Sequence, residues 1–220
     1  MSNKTAIIMS GGGMTCSYGV GAILALIEEY NLTKPDIVIA GSGNAGTLAY
    51  YVAEQYGSIR NIWSNLLSTK KFINLLRIWN VIDIDYLIDE VFRKQDILDV
   101  KKIYDSKMIY LIPTTNIETG NVEYFSNKNN DDIFEALRAT KAMPILFRHK
   151  VCINGGKYCD SYASISVKRN ALKAISLGAT KIIIIDNDRF NFVNYLFLSI
   201  RFKFKNKEFK KKLFWVFKGY

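Results

Sequence analysis

Three short stretches hold the residues whose types and spacing can do chemistry. "SGGGMTC" (10–16) follows a short apolar run and opens a helical pattern. Bare backbone N–H groups at such a turn suit an anion or a developing oxyanion. "IVIAGSGNAGTLAYY" (37–51) reads as a buried strand, a small-residue turn and a helix. That is the layout of a nucleophile elbow, in which small residues lie two places either side of the apex. "HKVCINGGKYCD" (149–160) reads as a hairpin that ends in the carboxylate of Asp160.

The elbow admits two registers. Centred on Ser42, its flanks are Ala40 and Asn44, and the second is large for a close helix–strand crossing. Centred on Asn44, they are Ser42 and Gly46, both small, with a full strand before the apex and a helix starting at Ala45. Asn also tolerates the positive φ of an elbow better than other non-glycine residues. The sequence therefore places Asn44 at the apex. A carboxamide is no nucleophile, so this register implies a chain that hydrolyses nothing as written.

The glycine turn has competing readings. A dinucleotide fingerprint needs a third glycine where Cys16 stands, and an acid after the second strand, which ends "IAGSG". That reading fails, and no cofactor or metal pattern is found elsewhere. An oxyanion hole formed by Gly11, Gly12 and Gly13 remains, beside the plainer reading of a tight turn that needs glycine. The single histidine, His149, sits between Arg148 and Lys150 and reads as a solvated loop residue.

The elements that must position these residues alternate. "TAIIMS" and "PDIVIAG" are buried strands; "CSYGVGAILALIEEYN" and "AGTLAYYVAEQYG" are helices, the second with Gly57 as a C-cap. Strand, helix, strand, helix implies parallel strands with right-handed crossovers. A helical, amphipathic insertion spans about 58–106. "KMIYLIPTTNI" and "VEYFS" are strands around "ETGN", "DIFEALRATKAM" is a helix that Pro144 helps to end, and "KIIIID" is an apolar strand. A turn at Gly155–Gly156 would set Cys152 opposite Cys159. The expected fold is a three-layer α/β/α sandwich on a mostly parallel sheet over residues 1–188, followed by a tail at 189–220.

Composition bounds the function. The 220 residues are 49% hydrophobic and 23% charged, as in globular chains. No apolar stretch approaches the roughly 20 residues of a membrane span, and three cysteines make no disulfide framework, so a cytoplasmic location is expected. Net charge is +10, but residues 189–220 hold nine Lys or Arg against Glu208 alone. The body is nearly neutral and offers no basic groove, so nucleic acid is not expected. The tail interleaves Lys with Phe and Trp, which suits an anionic membrane surface, or a last core helix with solvated lysines.

Together "SGGGMTCSYGVGAI", "GSGNAGTLA" and "ALRATKAMPILF…VCINGGKYCDSYAS" resemble, in order and spacing, the patatin-like phospholipase family. The resemblance runs from about residue 5 to 186. It implies lipid acyl hydrolysis by a serine–aspartate dyad that needs no histidine. It sets Asn44 at the serine position, Asp160 at the catalytic Asp and Gly11–Gly13 at the oxyanion turn. Thr15, Cys16 and Ser161 depart from the family pattern. The implied partner is a lipid or acyl ester; a non-catalytic lipid- or acyl-binding protein, or a membrane-surface protein, is the alternative.

Overall fold

The structure is a computed structural model that describes residues 3–74, 76–77, 81–143, 147, 150–160 and 166–187. Pro144, His149, Ser161 and the tail at 189–220 lie outside the described residues, as do the expectations attached to them. Strands β1 (Lys4–Met9), β2 (Ile37–Ala40), β3 (Ile109–Asn116) and β7 (Ala179–Ile185) form a parallel core in the order β3-β2-β1-β7. Antiparallel β4 (Val122–Ser126), β6 (Gly156–Cys159) and β5 (Val151–Ile153) extend the sheet beyond β3. The described sheet is thus mixed, with its parallel half under the glycine turns.

Parallel strands covered on both faces need apolar residues at every position, and β1 and β2 have them. Ile7, Met9, Val38 and Ala40 face one layer, with α1 (Cys16–Glu28), α2 (Ser42–Val52) and the helical insertion. Ala6, Ile8, Ile37 and Ile39 face the other, under α6 (Val167–Ser176). All eight are fully buried, at about 1.5–3 kcal/mol for each large side chain removed from water. Among the described residues β7 lies at the edge of the sheet, and Ile184 keeps 49% of its surface exposed.

The insertion is helical but irregular. It contains α3 (Tyr56–Asn61), a π-helical turn at Ile62–Leu66, an Ile73–Ile82 bridge, a π helix at Tyr86–Gln95 and α4 (Val100–Asp105). Gly57 lies inside α3, because α2 already ends at Val52. Arg138 fastens α5 (Ile133–Ala139) to the π helix through Asp85 and through Asp89 at 2.8 Å.

The hairpin turns one residue earlier than the spacing suggests. Asn154 and Gly155 both have positive φ, as a type I′ turn requires, so Cys152 pairs with Lys157 and not with Cys159. Cys152 is exposed and Cys159 buried; neither forms a disulfide, nor does Cys16. Burial, then the nearby Asp160, pushes the Cys159 thiol up to about 12, which leaves it an inert filler.

Candidate active site

The backbone at the β2–α2 turn settles where the elbow bends. Ser42 has φ 52°, whereas Asn44 is absent from the positive-φ residues. Helix α2 begins at Ser42, three residues before the start expected from the sequence. Ser42 lines a pocket; Asn44 does not, and is completely buried. The strained apex expected at Asn44 therefore falls on Ser42, which carries a hydroxyl.

Glycines elsewhere explain how an Asn fits two places beyond the apex. A Cβ on Gly19 of α1 would lie 2.9 Å from Asn44 Nδ2 and 2.9 Å from Asn187 Oδ1. Without that Cβ, both amides fit between α1 and the end of β1. A Cβ on Gly43 would meet Cys16 Sγ at 2.8 Å and the Gly13 carbonyl oxygen at 3.1 Å. So the buried Cys16 packs beneath the elbow, and the glycine turn crosses directly over it.

The glycine turn is held by its carbonyls. Asn44 Nδ2 donates to the Ser10 carbonyl at 2.7 Å. Asn187 Nδ2 reaches the Ser10 carbonyl at 3.2 Å and the Gly11 carbonyl at 3.1 Å, while its backbone N–H donates to Ser10 Oγ at 2.7 Å. A trans peptide points its C=O and N–H in opposite directions. Pinning these two carbonyls toward the interior therefore turns the N–H groups of Gly11 and Gly12 the other way. Among the described residues the N–H groups of Gly11–Gly13 make no hydrogen bond. Gly12 (φ 137°) and Gly13 (φ 58°) hold backbone conformations that a side chain would strain.

Asp160, 5% exposed at the end of β6, is reached through the segment after α5. The Ser42 N–H donates to Thr140 Oγ1 at 3.0 Å, and Thr140 Oγ1 donates to the Pro113 carbonyl at 2.7 Å. Two residues on, the Ala142 carbonyl accepts the Asp160 N–H at 3.0 Å. Thr140–Ala142 thus bridges the elbow and the carboxylate. Between them Lys141 turns its side chain into the pocket, where its ammonium donates to the Leu137 carbonyl at 3.3 Å. Burial outweighs the attraction of Asp160 and Cys16 and pushes Lys141 down to about 7. Sequence reasoning passed over this lysine.

The pocket is otherwise apolar. Beyond Ser42, Thr47 and Lys141 it is walled by side chains such as Trp63, Leu67, Phe72, Leu87 and Phe92, mostly from the insertion. Trp63 Nε1 donates to Thr47 Oγ1 at 3.1 Å, so the wall is tied to α2. Its free volume is about 70 Å³, several times the roughly 10–15 Å³ that one water needs. That is room for a run of methylenes. Among the described residues no cluster of His, Cys, Asp and Glu can hold a metal, and no helix is long and apolar enough to cross a membrane.

No curated protein matches the sequence significantly. Among solved structures, VipD from Legionella pneumophila aligns with a TM-score of 0.58 at 12% identity, over 90% of this chain and 53% of that one. This chain thus spans about half the length of VipD, and at that identity the likeness speaks for the fold alone. The model of the family described as patatin-like phospholipase matches residues 7–167, a span that holds both glycine turns, the elbow and Asp160. The chain belongs to the patatin-like phospholipase family.

Proposed function

We propose that this protein is a lipid acyl hydrolase with Ser42 as its nucleophile and Asp160 as the carboxylate of its dyad. The observation that carries the reading is the positive φ at Ser42, on a residue facing an apolar pocket. An acyl chain enters between α2 and the insertion, which brings its ester carbonyl to the elbow. Ser42 Oγ attacks the carbonyl carbon, and the N–H groups of Gly11–Gly13 face the oxygen that becomes negative. Collapse expels the alcohol, and water then releases the fatty acid. Asn44 is not a lost nucleophile in this reading. It holds the oxyanion turn through the Ser10 carbonyl.

The basic tail at 189–220 adds a second element to the proposal, contact with an anionic membrane surface, on composition alone. The test of the catalytic reading uses p-nitrophenyl esters of increasing chain length and phospholipid vesicles. The wild-type protein should turn over, Ser42→Ala should lose at least 10³-fold, and Asp160→Asn should lose a comparable factor. A folded wild-type protein that binds lipid without hydrolysing any ester supports the non-catalytic alternative instead. Undiminished turnover in Ser42→Ala refutes the assignment.

A further inference from the structure

The hydrogen-bond ladder between β1 and β7 changes where the glycine turn begins. The two strands run parallel with Met9 opposite Ile185, and the Ser10 N–H donates to the Ile185 carbonyl at 3.0 Å. In an evenly spaced parallel ladder the next bond would run from the Asn187 N–H back to the Ser10 carbonyl. It runs instead to Ser10 Oγ, at 2.7 Å. The serine hydroxyl takes the ladder bond, and the Ser10 carbonyl is left for side chains. Asn44 Nδ2 donates to it at 2.7 Å and Asn187 Nδ2 at 3.2 Å.

We propose that Asn187 is a positioning residue for ester hydrolysis, which together with Ser10 sets the rotation of the peptides that present the oxyanion N–H groups. This deepens the hydrolase reading and rests on it. Asn44 grips one carbonyl of the turn, whereas Asn187 Nδ2 grips two, Ser10 at 3.2 Å and Gly11 at 3.1 Å. These carbonyls belong to the two peptides whose N–H groups are those of Gly11 and Gly12. The amide offers two hydrogens to two acceptors, and the reverse orientation would set Oδ1 against both carbonyl oxygens. Oδ1 lies instead against Gly19, where a Cβ would stand 2.9 Å away, and makes no hydrogen bond. The stem of the side chain also bears on the turn: Asn187 Cβ lies 3.7 Å from where a Cβ on Gly12 would stand. Asn187 follows the end of β7, beyond the residues 7–167 that the family model matches.

The role lies in the transition state. As Ser42 Oγ bonds to the ester carbon, the carbonyl electron pair moves to oxygen, and the new charge faces the N–H groups of Gly11–Gly13. Asn187 acts through the turn and not on the ester. It fixes the direction of those N–H groups before the charge develops, and preorganised donors cost no reorganisation at the moment of reaction. The ground-state ester carries no full charge and gains little from the same groups. Loss of Asn187 is therefore a loss in kcat with KM nearly unchanged.

The test uses the full chain with p-nitrophenyl butyrate as substrate. It reads kcat, KM and the affinity of an alkyl trifluoromethyl ketone, which adds a serine oxygen to form a charged hemiketal. Asn187→Ala should lower kcat about 100-fold, the low end of what one oxyanion donor is worth, with KM within about twofold. Ketone affinity should fall by the same factor, while a methyl ketone of the same chain, which stays uncharged, binds as before. Asn187→Asp keeps the size but sets an oxygen against the two carbonyls, and should be at least as poor. Ser10→Ala returns the Asn187 N–H to the Ser10 carbonyl and should show the same pattern. The double variant should be little worse than either single one, because the two residues act as a unit. A purely structural role would lower the amount of active enzyme and leave ketone affinity unchanged. That result overturns the proposal, as does wild-type kcat in a folded Asn187→Ala. If Asn187→Ala does not fold, Ser10→Ala decides by the same two outcomes. Ser42→Ala run alongside separates the failures. If it is inactive while Asn187→Ala is unaffected, the hydrolase reading stands without Asn187; if it is active, or the wild type hydrolyses no ester, both fall.

Discussion

Replacing Asn44 with alanine separates its role in the oxyanion turn from its role in packing. The substitution removes the 2.7 Å hydrogen bond to the Ser10 carbonyl, which costs about 1 kcal/mol, and leaves a small cavity worth about 1 more. It also removes Asn44 Oδ1, a buried atom without a hydrogen-bond partner, whose burial costs about 1–3 kcal/mol. These terms nearly cancel, so the melting temperature should move by no more than about 4 °C. Turnover should not be spared. Losing an oxyanion donor costs roughly 10²–10³ in kcat. Asn187 still reaches the Ser10 carbonyl at 3.2 Å, so the turn is loosened and not lost. The expected fall in kcat is about 10- to 100-fold with KM within about twofold, read on p-nitrophenyl butyrate beside a thermal melt. An unchanged kcat in a folded variant refutes the orienting role. Asn44→Ser is the sharper contrast: a nucleophile at 44 would raise activity there, whereas the observed backbone makes it a loss.

Gly46→Ala sets a methyl 2.9 Å from Phe92 Cζ and should shift preference toward short-chain esters, with Phe92→Leu restoring longer ones; identical chain-length profiles would show that the acyl chain lies elsewhere. Lys141 is held near 7 in the fold and returns to its ordinary value on unfolding. The unfolded chain therefore binds more protons between those two values, and wild-type stability should rise from pH 7 toward pH 10 by a few kcal/mol relative to Lys141→Met. Parallel denaturation curves across that range would place the lysine in water. Removing residues 201–220 should abolish co-sedimentation with anionic vesicles while ester hydrolysis in solution persists; equal vesicle binding by the truncated protein would exclude the tail as the contact.

The sequence exposed the frame of this site more readily than its register. Strands β1 and β2 could be read because both faces are buried, which forces unbroken apolar runs, and each is followed by a turn that only small residues can make. The positive φ expected at Asn44 lies at Ser42, and Asn44 fits the helix because Gly19, twenty-five positions upstream, leaves it room. A rule applied within the turn counts Asn44 as too large. The folded chain removes the Cβ from the helix opposite and lets the amide through. The cysteine pairing failed for a local reason, since the type I′ turn takes Asn154–Gly155 and shifts the register by one. Lys141 was missed because a lysine in "ALRATKAM" reads as a solvated face, and only the packing of α2 and the insertion around it removes the water.

Asn44 and Lys141 share a physical oddity that bears on function. Each takes a strongly polar group out of water without full compensation: Asn44 leaves Oδ1 without a partner, and Lys141 sits where desolvation outweighs its attraction to Asp160. Packing alone would be served better by apolar side chains, because unpaired buried polar groups cost kilocalories while well-packed replacements do not. Buried groups that break the local rules concentrate where chemistry needs them. Asn44 lies two residues from Ser42, and Lys141 lies in the segment that joins Ser42 to Asp160. Both stand beside Ser42, a buried serine that lines the apolar pocket.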